Sequence, residues 1–513
     1  MKSKNKLIEQ LKGALEENRV LTDLEDRYVY SFEKIFMEQP HPMPDVVVRV
    51  SSSEEVEDVS RLAEREDILL VERGKQYPHI PKGSSKLLIL LDNSKIPSLG
   101  NTIKKGKKKD EIIANLHKLR KTGYGTYRNL ALGLKSVFLN KSFNKCLEST
   151  ICSGYCTVAS SFDGIETWSS KGRMLLIKGV MKGELNLSKK VIDSLYSCTK
   201  CGLCFAQCFQ ELDLQEAIIA TRRHIAEKNM VPQAFQAATK NIFDYGDPGA
   251  VPIERRLSWM KKISNSRIPD EAENLYWVGC MVANRTPKTA KAFFNILSRA
   301  SMDFTMLAEK EGCCGYVLFS AGLWDEAKKV ADTAIEKIEK TKAEALITPC
   351  AGCYYTFTKL YPETLDVSVP IEIHHTSQFL EKMIKQGDIT LKALNEPVTY
   401  HDPCSLGRHS KVFEAPRNVL RAIPKLKFIE MHLNRERARC CGGGGGLWTF
   451  NHRVSMDTAR TRLKEDLVPI NVNTLTTACP QCQMNFQFVS KKSSPLKIYD
   501  ITEIIERVMV AEN

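Results

Sequence analysis

A chain of 513 residues is too long for a single hydrophobic core, so its length predicts two to four domains. Its 43% hydrophobic content is typical of a soluble globular protein, and its longest apolar stretches, such as 87–91, are far shorter than a membrane helix. The formal net charge of +13 is uneven, since eight Lys or Arg and only two acidic residues lie between Lys104 and Lys121.

This basic stretch has two interpretations. It is either a docking surface for an acidic electron-transfer partner or anionic lipid, or a solvated basic loop and helix. Nucleic-acid binding would require aromatic residues among the charges, and only Tyr124 and Tyr127 lie close by, so we expect no nucleic-acid partner. The charged N-terminus lacks the apolar core of a signal peptide. We expect a cytoplasmic protein, or one peripheral to the membrane through a partner.

The first 140 residues contain no cysteine and are expected to form an N-terminal α/β region. The segment PDVVVRVSSSEEVEDVSRLAEREDILLVERGKQ from Pro44, followed by KLLILLDNSKI at 86–96, resembles the start of the FAD-binding domain of D-lactate and glycolate oxidases. Arg73-Gly74 is followed by Lys75-Gln76, so the glycine loop that cradles phosphate is lost. The resemblance implies a truncated relic that serves as a docking module, and we expect no FAD in this chain.

All seventeen cysteines fall into four arrays between residues 146 and 482. In a cytoplasmic protein clustered cysteines are more often metal ligands than disulfides, and an odd number fits poorly with a closed disulfide set. Cys198-x2-Cys201-x2-Cys204-x3-Cys208 has the spacing of bacterial [4Fe–4S] sites, in which the fourth cysteine reaches the other cluster. A zinc site would need two knuckles separated by a longer loop. Residues 141–230 are therefore predicted to form a small α-helical, two-cluster ferredoxin-like domain.

The partner array is incomplete, because CLESTICSGYC has Ser149 where a second cysteine is expected. If the last cysteine of each array binds the cluster of the other array, Cys156 joins Cys198, Cys201 and Cys204 at one site. The same rule places Cys208 with Cys146 and Cys152 at the other site, beside Ser149. Serine is a poorer and harder ligand than thiolate, so this second site holds a [4Fe–4S] cluster with a serine or solvent ligand, a [3Fe–4S] cluster, or no cluster. We favour an occupied site.

The C-terminal half repeats one cysteine pattern, each time across alternating strands and helices. A lone cysteine is followed after 32 or 35 residues by Cys-Cys-Gly and after 35 or 37 more by Cys-x2-Cys. Two such copies predict two duplicated α/β modules with parallel sheets, whose cysteines lie at the carboxyl ends of strands. We expect a linker at 231–272, a first module at 273–390 and a second module at 391–513. His401 and Asp402, just before Cys404, either supply a proton to a leaving thiolate or pack at the strand end.

This array resembles the CCG domain, and its fusion to a ferredoxin segment resembles the D subunit of heterodisulfide reductase and related iron–sulfur subunits of glycolate oxidase and glycerol-3-phosphate dehydrogenase. The segment ETWSSKGRM at 166–174 is similar to one that follows the first cysteine array in those subunits, and it places Lys171 and Arg173 near the clusters or on the surface. In this family each of two facing CCG domains binds a non-cubane [4Fe–4S] cluster. The resemblance implies two catalytic ligand sets: Cys280, Cys313, Cys314, Cys350 and Cys353; and Cys404, Cys440, Cys441, Cys479 and Cys482.

The resemblance implies an oxidoreductase of anaerobic metabolism. Electrons would pass through [4Fe–4S] clusters to the CCG site, for reduction or formation of a disulfide between small thiols such as coenzyme M and coenzyme B. The alternative is an electron-transfer subunit of a FAD-linked D-lactate, glycolate or glycerol-3-phosphate dehydrogenase, or of a membrane respiratory complex. The expected protein partner is a flavoprotein dehydrogenase, a ferredoxin or a membrane-bound cytochrome b.

Overall fold

The computed structural model describes residues 2–30, 44–65, 68–72, 88–92, 151–208, 213–262, 268–490 and 496–510. The basic stretch at 104–121, the degenerate glycine loop at 73–76, and Cys146 with Ser149 lie outside these residues. The described chain divides into two compact units, one formed by the residues up to Asp92 with 178–186, the other by the rest from Ile151. Within the described ranges, no helix is both long enough and apolar enough to cross a membrane.

The first unit is built on a four-stranded sheet of order β1-β2-β4-β3, in which β1 and β2 are antiparallel and the other neighbours parallel. The segment from Pro44 contributes two strands with a helix between them, and the segment 86–96 contributes a further strand. In order the elements are α1 (Lys2–Ala14), β1 (Val20–Leu21), α2 (Leu24–Tyr30), β2 (Val46–Arg49), α3 (Ser53–Arg65), β3 (Leu69–Glu72) and β4 (Leu88–Asp92).

The chain from Ile151 begins with helices. These are α4 (Ile151–Tyr155), α5 (Thr157–Ser160), α6 (Ser170–Met181), α7 (Lys189–Tyr196), α8 (Leu203–Ala206) and α9 (Leu214–Glu227). The segment expected to be a linker contains α10 (Gln233–Tyr245) and α11 (Ile253–Arg256). Phe235, Ala238 and Ile242 on one face of α10 are buried, as expected for apolar residues spaced three and four positions apart.

A parallel sheet of order β6-β5-β7-β8 follows. One helix, α15 (Trp324–Glu339), buries an apolar stripe spaced three and four positions apart from Ala327 to Ile338, with Ile335 half-buried. The elements are β5 (Asn274–Tyr276), α12 (Cys280–Arg285), α13 (Pro287–Arg299), β6 (Phe304–Thr305), α14 (Tyr316–Ala321), α15 (Trp324–Glu339), β7 (Ala345–Thr348), α16 (Ala351–Tyr355) with a π-helical extension at Thr356–Leu365, β8 (Glu372–His375) and α17 (Thr376–Gln386).

A second parallel sheet has the equivalent strand order, β10-β9-β11-β12. Its elements are β9 (Pro397–His401), α18 (Glu414–Arg421), β10 (Lys427–Phe428), α19 (Leu447–Phe450), α20 (His452–Arg462) with a π-helical turn at Leu463–Leu467, β11 (Thr474–Thr477), α21 (Pro480–Ser490), β12 (Lys497–Asp500) and α22 (Ile501–Val508). In both sheets the strands that come first and third along the chain are neighbours at the centre, and their connections leave in opposite directions. Open α/β sheets bind ligands at such a switch point. The protein therefore has a mixed α/β fold with parallel sheets.

Candidate metal centre

The CCG cysteines lie at the carboxyl ends of the central strands. Cys280 and Cys350 follow β5 and β7, while Cys404 and Cys479 follow β9 and β11, so the strand order brings each pair to one switch point. Nine of the ten line one cavity of about 320 Å³: Cys280, Cys313, Cys314, Cys350, Cys353, Cys404, Cys441, Cys479 and Cys482. The tenth, Cys440, is buried beside them and interacts with Cys404 and Cys441.

The sulfur atoms in the two halves of this cavity are close enough to share a bound group. The Sγ atoms of Cys280 and Cys313 are 3.9 Å apart, and those of Cys441 and Cys482 are 3.0 Å apart. Between the halves, the thiols of Cys350 and Cys479 interact directly. The structure thus brings the two predicted ligand sets face to face.

Backbone N–H groups point at several of these sulfurs. The Gly315 N–H donates to Cys313 Sγ at 3.4 Å, and the Gly442 N–H donates to Cys440 Sγ at 3.3 Å. The two Cys-Cys-Gly turns therefore have the same local hydrogen bond. Such donors stabilise thiolate, which is the form of cysteine that binds metal.

Burial and neighbouring thiols raise the pKa of one Cys-x2-Cys cysteine in each CCG set. Hydrogen bonds to Cys314 and Cys350, together with burial, raise the pKa of the Cys353 thiol well above its usual range. The pKa of Cys482 is raised in the same way by Cys441, Cys479 and burial. Crowding many thiols into a buried site costs folding free energy. A bound metal cluster offsets this cost, because the cysteines lose their protons and bind the metal instead. The donor set therefore fits iron–sulfur clusters.

The ferredoxin-like cysteines form a separate group. A small cavity of about 30 Å³ is lined by Cys156, Cys198, Cys201 and Cys204, the four that the crossed spacing rule groups together. Burial raises the pKa of the Cys204 thiol well above its usual range, and its cysteine neighbours raise it further. Cys152 and Cys208 are half-buried. Their expected partners Cys146 and Ser149 lie outside the described residues, so the nature of that site stays a prediction.

Basic residues are buried beside this group. Arg173 is 1% exposed, and its Nη1 lies 3.6 Å from Cys156 Sγ. Its Nη2 is buried and has no hydrogen-bond partner among the described residues. Buried polar atoms normally have a partner, and an anionic cluster bound by the neighbouring cysteines would supply one. Lys171 is also buried. Of the two predicted positions for these residues, the structure therefore favours the one near the clusters over the exposed one.

The ferredoxin-like cysteines contact the second CCG group, which is the ligand set that includes Cys404 and Cys440. Cys440 Sγ lies 3.4 Å from Thr199 Oγ1, and the thiols of Cys201 and Cys440 interact. Arg408 holds the junction together, because its Nε donates to Cys201 O at 2.7 Å and its Nη1 to Ala438 O at 2.5 Å.

The two candidate proton donors have different surroundings. The carboxylate of Asp402 accepts hydrogen bonds from both Nη atoms of Arg417, at 2.7 and 2.9 Å, and from the Arg435 N–H at 2.8 Å. These bonds tie the carboxylate to two neighbouring segments and so support the packing role predicted for Asp402, while its role in supplying a proton stays a prediction. His401 is 1% exposed and lies beside Cys441 and Cys482 instead.

Sequence reasoning missed Arg222, which is completely buried. Its guanidinium donates to the carbonyl oxygens of Leu195, Cys198, Ser320 and Gly445, and so joins the ferredoxin-like segment to both CCG halves. The signal was present, because Arg222 lies four residues after Ile218 on the apolar face of α9. A charged residue on a buried helix face needs partners.

Comparison with known proteins agrees with this geometry. The cysteine-rich domain family CCG matches twice, at residues 274–358 and 398–487. The D subunit of the dihydromethanophenazine:CoB–CoM heterodisulfide reductase of Methanosarcina acetivorans is 36% identical over 298 residues, which are 57% of this chain and 72% of that protein. The chain belongs to the family of heterodisulfide reductase D subunits.

Other relatives extend this membership. The D subunit of the heterodisulfide reductase of Methanosarcina barkeri is 30% identical over 384 residues, 71% of this chain and 93% of that protein. The B subunit of the fumarate reductase (CoM/CoB) of Methanothermobacter marburgensis is 28% identical over 320 residues, 62% of each chain. This heterodisulfide reductase D-like chain is therefore a member of an iron–sulfur oxidoreductase family whose relatives are subunits of reductases.

Proposed function

We propose that the chain is the catalytic iron–sulfur subunit of a thiol/disulfide oxidoreductase, with the CCG cavity as its active site. The observation that carries the proposal is the single cavity lined by cysteines of both CCG groups. Its volume of about 320 Å³ is that of a small-molecule site. The substrate class is a disulfide of two small thiols, as in the CoB–CoM heterodisulfide named for the relatives.

Each group of cysteines has a proposed ligand role. The two CCG sets would hold one non-cubane [4Fe–4S] cluster each, Cys156 with Cys198, Cys201 and Cys204 would hold a cubane cluster, and Cys208 with Cys152 would take part in the site that includes Cys146. Clusters bound there supply single electrons, and reductive cleavage of a disulfide consumes two electrons and two protons and releases two thiols. The matching strand orders and the repeated Cys-Cys-Gly hydrogen bond support a duplicated module. The helices from Ile151 to Glu227 support a ferredoxin-like domain.

The contact between Cys201 and Cys440 supports entry of electrons at the second CCG group. The close approach depends on Gly445, which has φ = +63° and whose added Cβ would lie 2.1 Å from the carbonyl oxygen of Thr199. The glycine run at 442–446 thus allows the ferredoxin-like backbone to approach the second CCG set.

Gly445→Ala is expected to push Thr199 away from the second CCG group. We expect the melting temperature of the anaerobic protein to fall by at least about 1 °C, since the left-handed backbone alone costs about 1 kcal/mol. Reduction of the second site by an electron donor should slow as well. The matched control is Gly444→Ala, because a Cβ at Gly444 meets nothing within 4 Å. Equal behaviour of the two variants would contradict this route.

The proposed activity is tested by viologen-linked reduction of a panel of disulfides by the anaerobically purified chain. Turnover of at least one small heterodisulfide, with release of two thiols for every two electrons, is the expected result. A protein with its full iron content that turns over none of them would instead act as an electron-transfer subunit. That is our second candidate, and the relatedness to a fumarate reductase B subunit favours it. Co-purification with a flavoprotein would support it.

A further inference from the structure

The two CCG groups differ at one equivalent position. Trp277 lies three residues before Cys280, and His401 lies three residues before Cys404, each at or just after the end of a central strand. Both side chains are buried, with 0% and 1% of their surface exposed. The same place in the fold therefore holds an indole in the first group and an imidazole in the second.

The His401 ring is held against the sulfurs of its own group. One ring nitrogen and the Sγ atoms of Cys441 and Cys482 lie within 4.8 Å of one another. Phe486 packs edge-on against the ring, with centroids 4.9 Å apart, and fixes its plane. Nδ1 is buried and has no hydrogen-bond partner among the described residues. An unsatisfied buried polar atom costs about 1–3 kcal/mol, and the imidazole also interacts with the Cys441 thiol.

Trp277 has a similar location but different chemistry. Its Nε1 is also buried without a partner among the described residues. A Cβ built on Gly279 would lie 3.3 Å from Cys353 Sγ and 3.9 Å from Trp277 Nε1. The indole nitrogen and this sulfur are therefore both within 4 Å of the same position beside Gly279. An indole nitrogen only donates a hydrogen bond, whereas an imidazole nitrogen either donates or binds metal.

We propose that His401 touches the second cluster directly, through a nitrogen bound to iron or an N–H donated to a cluster sulfur. Trp277 offers the first cluster an N–H alone. This inference rests on the proposed ligation of clusters by the CCG cysteines. It makes the two sites electronically inequivalent although their cysteine sets match, because nitrogen ligands and hydrogen bonds to sulfur change the reduction potential of a cluster.

The test is nitrogen hyperfine coupling in the anaerobic full-length protein labelled with 15N-histidine. The signal of the second site is identified by its loss in Cys482→Ser and its retention in Cys353→Ser. We expect a coupling that changes with the label, disappears in His401→Phe and persists in the matched control Trp277→Phe. A strong coupling indicates an iron–nitrogen bond, and a weak one indicates an N–H···S contact. A histidine coupling that survives in His401→Phe would overturn the inference.

Iron and sulfide counts separate this inference from the proposed function. A second site that lacks iron in the parent protein contradicts the ligand assignment itself. A fully loaded second site without any histidine coupling contradicts only the role of His401. Should His401→Phe lose iron, His401→Asn, which keeps a shorter polar side chain, repeats the comparison.

Discussion

Cys482→Ser is expected to remove the paramagnetic signal of the second CCG site and to lower disulfide reductase activity by more than about 100-fold. Changing a residue that only contacts a metal ligand already costs 10–100-fold, and serine is a harder and poorer ligand than thiolate. Cys482 is 3% exposed, and its Sγ lies 3.0 Å from that of Cys441, so no other side chain can take its place without rearrangement. Electron paramagnetic resonance and the viologen-linked assay measure the two effects.

Cys353→Ser is the matched variant in the first CCG group. Cys353 follows Cys350 as Cys482 follows Cys479, and it is equally buried, at 3% exposed. We expect it to remove the first signal, to leave the second, and to lower activity to a similar extent, because both sites border the substrate cavity. Full activity in either variant would contradict the assignment of the cavity as the active site.

Arg417→Met is expected to lower the stability of the second CCG region by about 3–5 kcal/mol, the usual cost of leaving a buried charge unpaired. Arg417 is completely buried and forms two hydrogen bonds to Asp402 and two to Glu430. Removing it leaves the 3% exposed Asp402 carboxylate without its cation, two residues before Cys404. Hydrogen exchange of peptides that cover β9 should accelerate roughly 100- to several-thousand-fold.

The control for this prediction is Arg421→Met on the same helix. Arg421 lies 3.6 Å from Glu414, with both side chains about half exposed. An exposed pair of this kind contributes at most about 1 kcal/mol, so exchange in β9 should barely change. If Arg417→Met behaves like Arg421→Met, the buried ion pair does not hold the strand end in place.

Periodicity and spacing were sufficient to predict the central strands and helices. The stripe on α15 and the short apolar runs that end in cysteine are local signals, and the structure has these elements where they were expected. The last strand of each sheet was missed. Glu372–His375 and Lys497–Asp500 are short edge strands with mixed polarity, and they form by pairing with β7 and β11 rather than by a pattern of their own.

The candidate site could be predicted as lists of cysteines but not as contacts. Spacing grouped Cys156 with the ferredoxin array and separated the two CCG sets, because these groupings follow from ligand geometry along the chain. The contacts of Cys201 with Cys440 and of Cys350 with Cys479 join residues far apart in sequence, and only the packed fold reveals them. The same is true of Asp402, whose partner Arg417 lies fifteen residues away on another element.

The most direct test of the central claim is electron paramagnetic resonance of the anaerobic, iron-replete protein before and after addition of a small disulfide. If the CCG cavity is a disulfide site that holds iron–sulfur clusters, the disulfide should produce a new paramagnetic signal that Cys353→Ser or Cys482→Ser abolishes. Iron and sulfide counts on the same samples establish that the clusters are present. Spectra that no disulfide alters, in protein with its full iron content, would contradict the account.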